Sequence, residues 1–255
     1  MTTPSTPRAS IGSLKRIPAG DFRMGSRFHA REFPPRQGQS AEFQIAQTPV
    51  TVIQFAAFVD SDADREQRWW SPDGWEWVNG RADGWGRKDR RIPDGWDLQL
   101  KHETHPATGV TLFEAQAYCA WLSVAKNKKV RLPTEVEWEY AARGEDGRPF
   151  PWGEEFDARL ANTAESDLFT TMEAAGNPAD SSPFGVMDMC GNVQQWTSSA
   201  YAALKEERVP PGPLFVARGG SFNDTAFGAR TSYRRGYPPG FFYPFLGFRV
   251  VVEAV

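Results

Sequence analysis

Two cysteines, three histidines and one run of aromatic and arginine residues are where this 255-residue chain could do chemistry. A cysteine acts as a nucleophile or soft-metal ligand only as thiolate, in an electropositive, partly exposed setting. Cys119 shares a helical face with Leu112, Ala115 and Leu122 and reads as a small buried hydrophobe; Cys190 stands beside a Gly191-Asn192 turn. His102 and His105 have an H-x-x-H spacing, but no third ligand type converges on them in sequence, which is weak support for a metal. The remaining run, NDTAFGARTSYRRGYPPGFFYPFL, lies between Arg218-Gly219-Gly220-Ser221-Phe222 and Gly247-Phe248-Arg249-Val250-Val251. It has neither helical period nor strand alternation and reads as a long loop displayed between two fixed ends. Tyr, Phe and Arg offer large contact area, few rotatable bonds and polar tips, so the chemistry indicated is recognition.

Around this run the chain supplies scaffold. Ile17, Phe22 and Met24 flank a Pro-Ala-Gly turn and read as hairpin-like strands; Phe43 and Ile45 give a second short strand, and residues 27–41 read as loop. Thr51 is an N-cap for a helix with Val52, Phe55, Ala56 and Val59 on one face. Thr111 with Glu114, and Thr134 with Glu137, are capping boxes opening a second helix to about Ala125 and a third ended by Gly144. Glu139 and Arg143 are spaced as an i,i+4 pair. Residues 60–98 carry Trp69, Trp70, Trp75, Trp77, Trp85 and Trp96 among turn signals. They read either as a platform for flat ligands or, the favoured reading, as anchors pinning an irregular insertion to the body. Residues 154–182 are polar and irregular, with Asn162, Asp167 and Asp180 as oxygen-ligand candidates, and residues 184–197 suggest another hairpin.

Composition removes several function classes. With 23 Gly and 20 Pro the chain favours many turns over a helical bundle. A net charge of −3 with both signs interspersed leaves no basic stripe, so nucleic acid is not the expected partner. No apolar run reaches the length of a membrane span. Residues 1–13 lack a signal-peptide core and read as a flexible tail. Two cysteines give no disulfide framework, and a cytoplasmic protein is expected.

The order of motifs resembles the formylglycine-generating enzyme family, the sulfatase-modifying-factor domain. The matching pieces are FRMGS (22–26), TPVTVIQFAAFV (48–59), HPATGVTLFEAQAYCAWLS (105–123), RLPTEVEWEYAARG (131–144), FPWG (150–153), FGVMDMCGNVQQWTSS (184–199), ARGGSF (217–222) and GFRVV (247–251). The resemblance implies one α+β domain over residues 14–255 with a C-type-lectin-like fold: few helices, a twisted antiparallel sheet and long loops. The family's oxidases carry a copper-binding cysteine pair shortly after Gly-Gly-Ser; here Ser221–Tyr233 holds no cysteine, so no catalytic residue is assigned. Related sulfoxide synthases take iron ligands from an attached helical domain. A family calcium site carries over to Asp188, Gly191, Val193 and Gln195; Gln195 stands where the family has an acidic residue, which weakens a calcium site. A second calcium site near Asn162 is a poorer match. No cofactor is required, and structural calcium is the one candidate.

Residues 218–251 also resemble the diversified region of variable proteins from diversity-generating retroelements, which share this fold. RGGSF and LGFRVV look like fixed boundaries, and Ala229-Arg230 and Arg234 like fixed framework. Gly228, Gly236 and Pro244 belong to the varied set together with the expected ligand-binding residues. Those are Phe222, Asn223, Asp224, Thr225, Phe227, Tyr233, Arg235, Tyr237, Phe241, Phe242, Tyr243 and Phe245. The expectation is a non-enzymatic protein presenting a recognition surface to an unidentified macromolecule, expected to be a protein. The alternatives are a metal-dependent oxidase with non-cysteine ligands and an accessory module with one fixed partner.

Overall fold

Three threonines start helices as their spacing demands. The computed structural model describes residues 9–80 and 92–253. Helix α1 (Val52–Val59) begins at Thr51, whose backbone N–H donates to Gln54 Oε1 at 2.8 Å. Two short helices follow, α2 (Pro72–Val78), capped by Ser71, and α3 (Trp96–Gln99). The long α4 (Leu112–Lys126) and α5 (Glu135–Arg143) begin at full capping boxes, Thr111–Glu114 and Thr134–Glu137. A one-turn helix, α6 (Ala226–Ala229), interrupts the C-terminal segment. Val52, Phe55 and Ala56 of α1 and Leu112, Ala115, Cys119 and Leu122 of α4 are buried, so the periodic faces are the core faces.

The strands form three small sheets. Strands β1 (Leu14–Ile17), β4 (Phe43–Ala46), β5 (Val130–Arg131) and β10 (Val251–Val252) pair in the order β1-β4-β10-β5. Strands β2 (Gly20–Met24) and β3 (Arg36–Ser40) form a separate antiparallel ribbon. The third sheet, ordered β8-β7-β6-β9, contains β6 (Gln194–Ala200), β7 (Phe215–Arg218), β8 (Arg234–Tyr237) and β9 (Leu246–Phe248). Its β6–β9 pair is parallel and its other pairs antiparallel.

Three sequence expectations change here. β1 and β2 are not partners; the Pro-Ala-Gly turn passes the chain from one sheet to another. Residues 36–40 are a strand within the expected loop, their apolar signal missing because Gly38 lies under the Phe22 ring, where a Cβ would stand 2.6 Å from Phe22 Cε1. Residues 184–193 do not form a hairpin arm. Asp188 and Asn192 adopt positive φ (54° and 59°), which curls the segment before β6 begins.

Trp70, Trp77 and Trp96 are buried in the main core, and Trp69 and Trp75 pack against it, so these five act as anchors rather than as an open platform. Trp85 and residues 1–8 of the expected tail lie outside the described residues. Behind the C-terminal sheet sits a buried hub. Glu139 accepts from the Gly25 N–H at 2.6 Å, from Arg143 Nη1 at 2.6 Å and from Arg218 Nη2. Arg218 Nη1 in turn donates to the carbonyls of Thr231 (3.3 Å) and Tyr233 (3.1 Å). The hub thereby fixes the end of β7 and the backbone of the segment that follows.

Candidate recognition surface and cavity

The C-terminal segment is folded rather than displayed as one open loop. After β7, Gly219 and Gly220 take φ of 92° and 64°, and a Cβ on Gly220 would approach Ala229 Cα to 2.8 Å, so the chain reverses tightly against α6. It then returns as β8, in register with β7 from Phe215↔Tyr237 to Arg218↔Arg234. Gly236 faces the Tyr201 ring, where a side chain would collide. That contact gives β8 a glycine and obscures its strand pattern.

Four of the twelve expected binding residues have their polar tips tied into the scaffold, and Phe222, among the other eight, is buried. Asp224 accepts from Ser221 Oγ (2.7 Å), from Gln194 Nε2 (3.1 Å) and from Arg235 Nη2. Tyr237 Oη donates to Gln194 Oε1 at 3.0 Å and closes this network; burial raises the Tyr237 phenol above its ordinary range. Tyr233 is 7% exposed, and its hydroxyl accepts from Arg31 Nη1 at 3.2 Å. These side chains hold the segment to the scaffold. The remaining seven divide into two groups. Asn223, Thr225 and Phe227 are exposed around α6. Phe227 covers Arg230, whose Cζ lies 4.4 Å from its ring centroid and 5.3 Å from that of Phe28. Arg230 is anchored on the buried Glu32 carboxylate (Nη2 to Oε1, 2.5 Å), which also accepts from Ser232 Oγ at 2.7 Å.

The second group continues an aromatic ladder that starts in the core. Trp196 meets Tyr237 edge-on (6.0 Å between ring centroids), Tyr237 stacks on Phe241 (4.7 Å), and Phe241 meets Tyr243 edge-on (4.7 Å). Tyr243 stacks on Phe245 (4.8 Å). Offset and edge contacts of this kind add about 0.5–1.5 kcal/mol each beyond buried area, which holds the outer rings in place. Tyr243 is exposed, and Phe241, Phe242 and Phe245 are half-buried.

Phe222, Phe242 and Tyr243 form one wall of a cavity of about 760 Å³. Residues 94–109 and 169–171, including Leu98, Lys101, His102, His105 and Phe169, also line it. The His102 and His105 rings are 4.8 Å apart, and His105 Nδ1 lies 3.0 Å from Thr171 Oγ1. Burial and the neighbouring His102 lower His105 below the ordinary imidazole range. The sequence showed the histidine spacing but not the cavity, because Phe169 and Phe222 reach it from distant loops. Among the described residues, no group of three or more His, Cys, Asp or Glu lies close enough to hold a metal ion.

The four calcium candidates do not fit a cation as arranged. Gln195 is fully buried, and its Oε1 accepts from Trp138 Nε1 (2.9 Å) and Arg249 Nε (2.5 Å). Both partners can only donate, so the amide is oriented with its NH₂ toward the carbonyls of Asp188 (2.6 Å) and Val193 (3.5 Å). A donor therefore faces the Val193 carbonyl, one of the expected ligands. Arg249 Nη2 also donates to the carbonyls of Met187 (2.7 Å) and Asp188 (3.1 Å). The Asp188 carboxylate is turned away, accepting from the Ala175 N–H (2.8 Å) and Asn192 Nδ2 (3.1 Å). Gly191, at φ 82°, packs on the Asn162 carbonyl. At the weaker candidate, Asn162 Oδ1 accepts from Ser166 Oγ at 3.1 Å. Asp180 is buried beside Asp188, which raises its carboxyl well above the usual range; its Oδ2 accepts from the Asp188 N–H, and Oδ1 has no hydrogen-bond partner.

Cys119 and Cys190 are both buried, and burial raises both thiols. Neither is a cavity-lining residue.

A family model described as sulfatase-modifying factor enzyme 1-like domain matches residues 2–254. Hercynine oxygenase of Mycolicibacterium smegmatis is 31% identical over 253 residues, covering 88% of this chain and 57% of that protein. Inactive C-alpha-formylglycine-generating enzyme 2 of Bos taurus is 30% identical over 275 aligned residues, covering 93% and 87%. The chain spans about half the length of the hercynine oxygenases it matches, 57% and 46% for two of them. The structure of Treponema denticola variable protein 1 aligns with a TM-score of 0.70 at 21% identity, over 99% of this chain and 100% of that one. The small antiparallel sheets, few helices and long connections agree with the expected α+β, C-type-lectin-like architecture of that neighbour. With the family model matched over almost its whole length, the chain belongs to the sulfatase-modifying factor enzyme 1-like domain family.

Proposed function

We propose that this chain is a non-enzymatic ligand-binding protein whose C-terminal segment is its recognition surface, in the manner of the variable proteins of diversity-generating retroelements. One observation carries the reading. An aromatic surface, with Phe227 and Tyr243 exposed and Phe241, Phe242 and Phe245 half-buried, is held on a rigid frame, while both cysteines are buried. Exposed clusters of large aromatics on a rigid support are typical protein-binding anchors. The partner is then a protein, and a cytoplasmic setting suits two unpaired cysteines. Among the described residues, no helix is long and apolar enough to cross a membrane.

Sequencing the gene across close strains tests the diversified part of this reading. Substitutions should concentrate at Asn223, Thr225, Phe227, Phe242, Tyr243 and the other outward positions, and arise at template adenines. Changes spread evenly over the gene, with no template copy or reverse transcriptase nearby, would refute it.

A second reading has one observation in its favour: His102 and His105 face each other in the cavity wall. It is a metal-dependent oxidase, and one of the matched relatives carries the name hercynine oxygenase. It requires iron or copper retained through purification and lost on His102→Gln or His105→Gln. A fixed-partner accessory module instead requires one identical partner in every strain, lost on Phe241→Ser with Phe242→Ser.

A further inference from the structure

We propose that the cavity binds a carboxylate carried on an aromatic stem. This rests on the recognition reading and names the chemistry that enters the surface. Phe169, Phe222, Phe242 and Tyr243 line the cavity with aromatic rings, and Lys101 and the His102–His105 pair bring nitrogen groups to the same lining. About 760 Å³ lies within the ~300–1,000 Å³ range of small-ligand sites and accommodates a phenyl ring with a short acid chain.

The charges select for an anion. Lys101 is exposed and forms no ion pair among the described residues. The two imidazoles are close enough that a charge on His102 disfavours one on His105. An arriving carboxylate removes that opposition by pairing with the protonated ring. The acidic groups nearby do not cancel this. Asp94 is the one acidic residue of the cavity lining, against Lys101 and the two imidazoles. Glu173 acts on His105, which it favours in the charged form, yet burial and His102 outweigh it. Glu103 is exposed between the two histidines in sequence. Binding of the acid should therefore take up a proton and strengthen as pH falls through the imidazole range, near 6.5 for an unperturbed ring.

Two sources share this chemistry: a free aromatic acid, and the C-terminal carboxylate of a peptide ending in an aromatic residue. The probes are 3-phenylpropionate, 3-phenylpropionamide, and Gly-Gly-Phe with a free or amidated C terminus. Binding is measured by calorimetry at about pH 6 and pH 8. Each acid should bind at least tenfold more tightly than its amide, and more tightly at the lower pH. Lys101→Gln combined with His102→Gln should bring the acid toward the level of the amide with the melting temperature unchanged, and adding His105→Gln should abolish the pH effect. Tighter binding of Gly-Gly-Phe than of phenylpropionate identifies a chain terminus as the source, and the reverse order a free acid. Equal binding of acid and amide, both lost on Phe242→Ser, overturns the carboxylate assignment while the recognition reading stands. No binding by any probe overturns the assignment too; if Phe242→Ser then also leaves capture of the protein partner intact, the recognition reading falls with it.

Discussion

Replacing Gln195 with glutamate tests whether an amide has taken the place of a cation in this fold. The side chain is fully buried, so solvent cannot screen the change. One carboxylate oxygen would keep the Trp138 and Arg249 donors, while the other would face the Asp188 carbonyl at the 2.6 Å now spanned by a hydrogen bond. Losing that donor sets two acceptors against each other, at about 1–3 kcal/mol, and the new ion pair with Arg249 offsets part of it. At roughly 2–4 °C per kcal/mol for a chain of this size, Q195E should melt about 2–12 °C below the parent at pH 8 in a chelator. Protonation restores a donor, so the deficit should shrink toward pH 5. A divalent ion can also relieve the acceptor clash, and calcium at about 100 times its dissociation constant would return ~2.7 kcal/mol. The assay is thermal unfolding of parent and Q195E, each with calcium or chelator. The parent should be indifferent to both. A parent that melts several degrees higher in calcium would refute the reasoning, because the Gln195 oxygen would then have to leave Trp138 and Arg249 and turn toward the ion.

Burial raises the Asp180 carboxyl well above its ordinary range. Its contribution is fully present below the unfolded value near 3.9 and is lost as pH rises through the folded value, so D180N should gain stability over the parent with rising pH in denaturant titrations from pH 5 to 8. Parallel curves would contradict this. Asp224→Ala strands Arg235, Ser221 and Gln194 and should cost about 2–3 kcal/mol, discounted for the partial exposure of Arg235, whereas Asn223→Ala and Thr225→Ala should stay within about 0.5 kcal/mol in the same urea assay. Both thiols are buried and raised, so iodoacetamide at pH 8 should modify neither cysteine in the native protein and both in denaturant, read by mass spectrometry.

Local rules were legible in the sequence. Thr51, Thr111 and Thr134 announced helix starts because a cap is decided within four residues, and the Glu139–Arg143 spacing announced an ion pair that proved to be fully buried. What the spacing could not carry was the third partner, Arg218. Strand β3 was hidden by its composition, since Arg36, Gln37, Gly38, Gln39 and Ser40 contain no apolar side chain and the aromatic cover comes from Phe22 across the ribbon. The parallel β6–β9 pairing joins residues about fifty positions apart, and no local pattern specifies it. In the C-terminal segment, residue type did not give the direction of each side chain. Tyr233, Arg235 and Tyr237 look like contact residues by composition, yet their polar tips are engaged within the frame. Direction depended on the Asp224–Gln194 network, which joins a turn to a distant strand.

The frame grips the C-terminal segment largely by its main chain. Arg218 holds the carbonyls of Thr231 and Tyr233. The N–H groups of Leu112, Gly109, Gln194 and Val110 donate to the carbonyls of Pro239, Tyr243, Phe245 and Leu246. Every amino acid supplies that carbonyl, so these bonds do not depend on what the side chain is. Position and content are therefore stored separately: the coordinates of a site are written into the frame, and its chemical character into a side chain that can be rewritten without moving it. At the exposed Tyr243, the carbonyl bond to the Gly109 N–H would persist through a change of side chain.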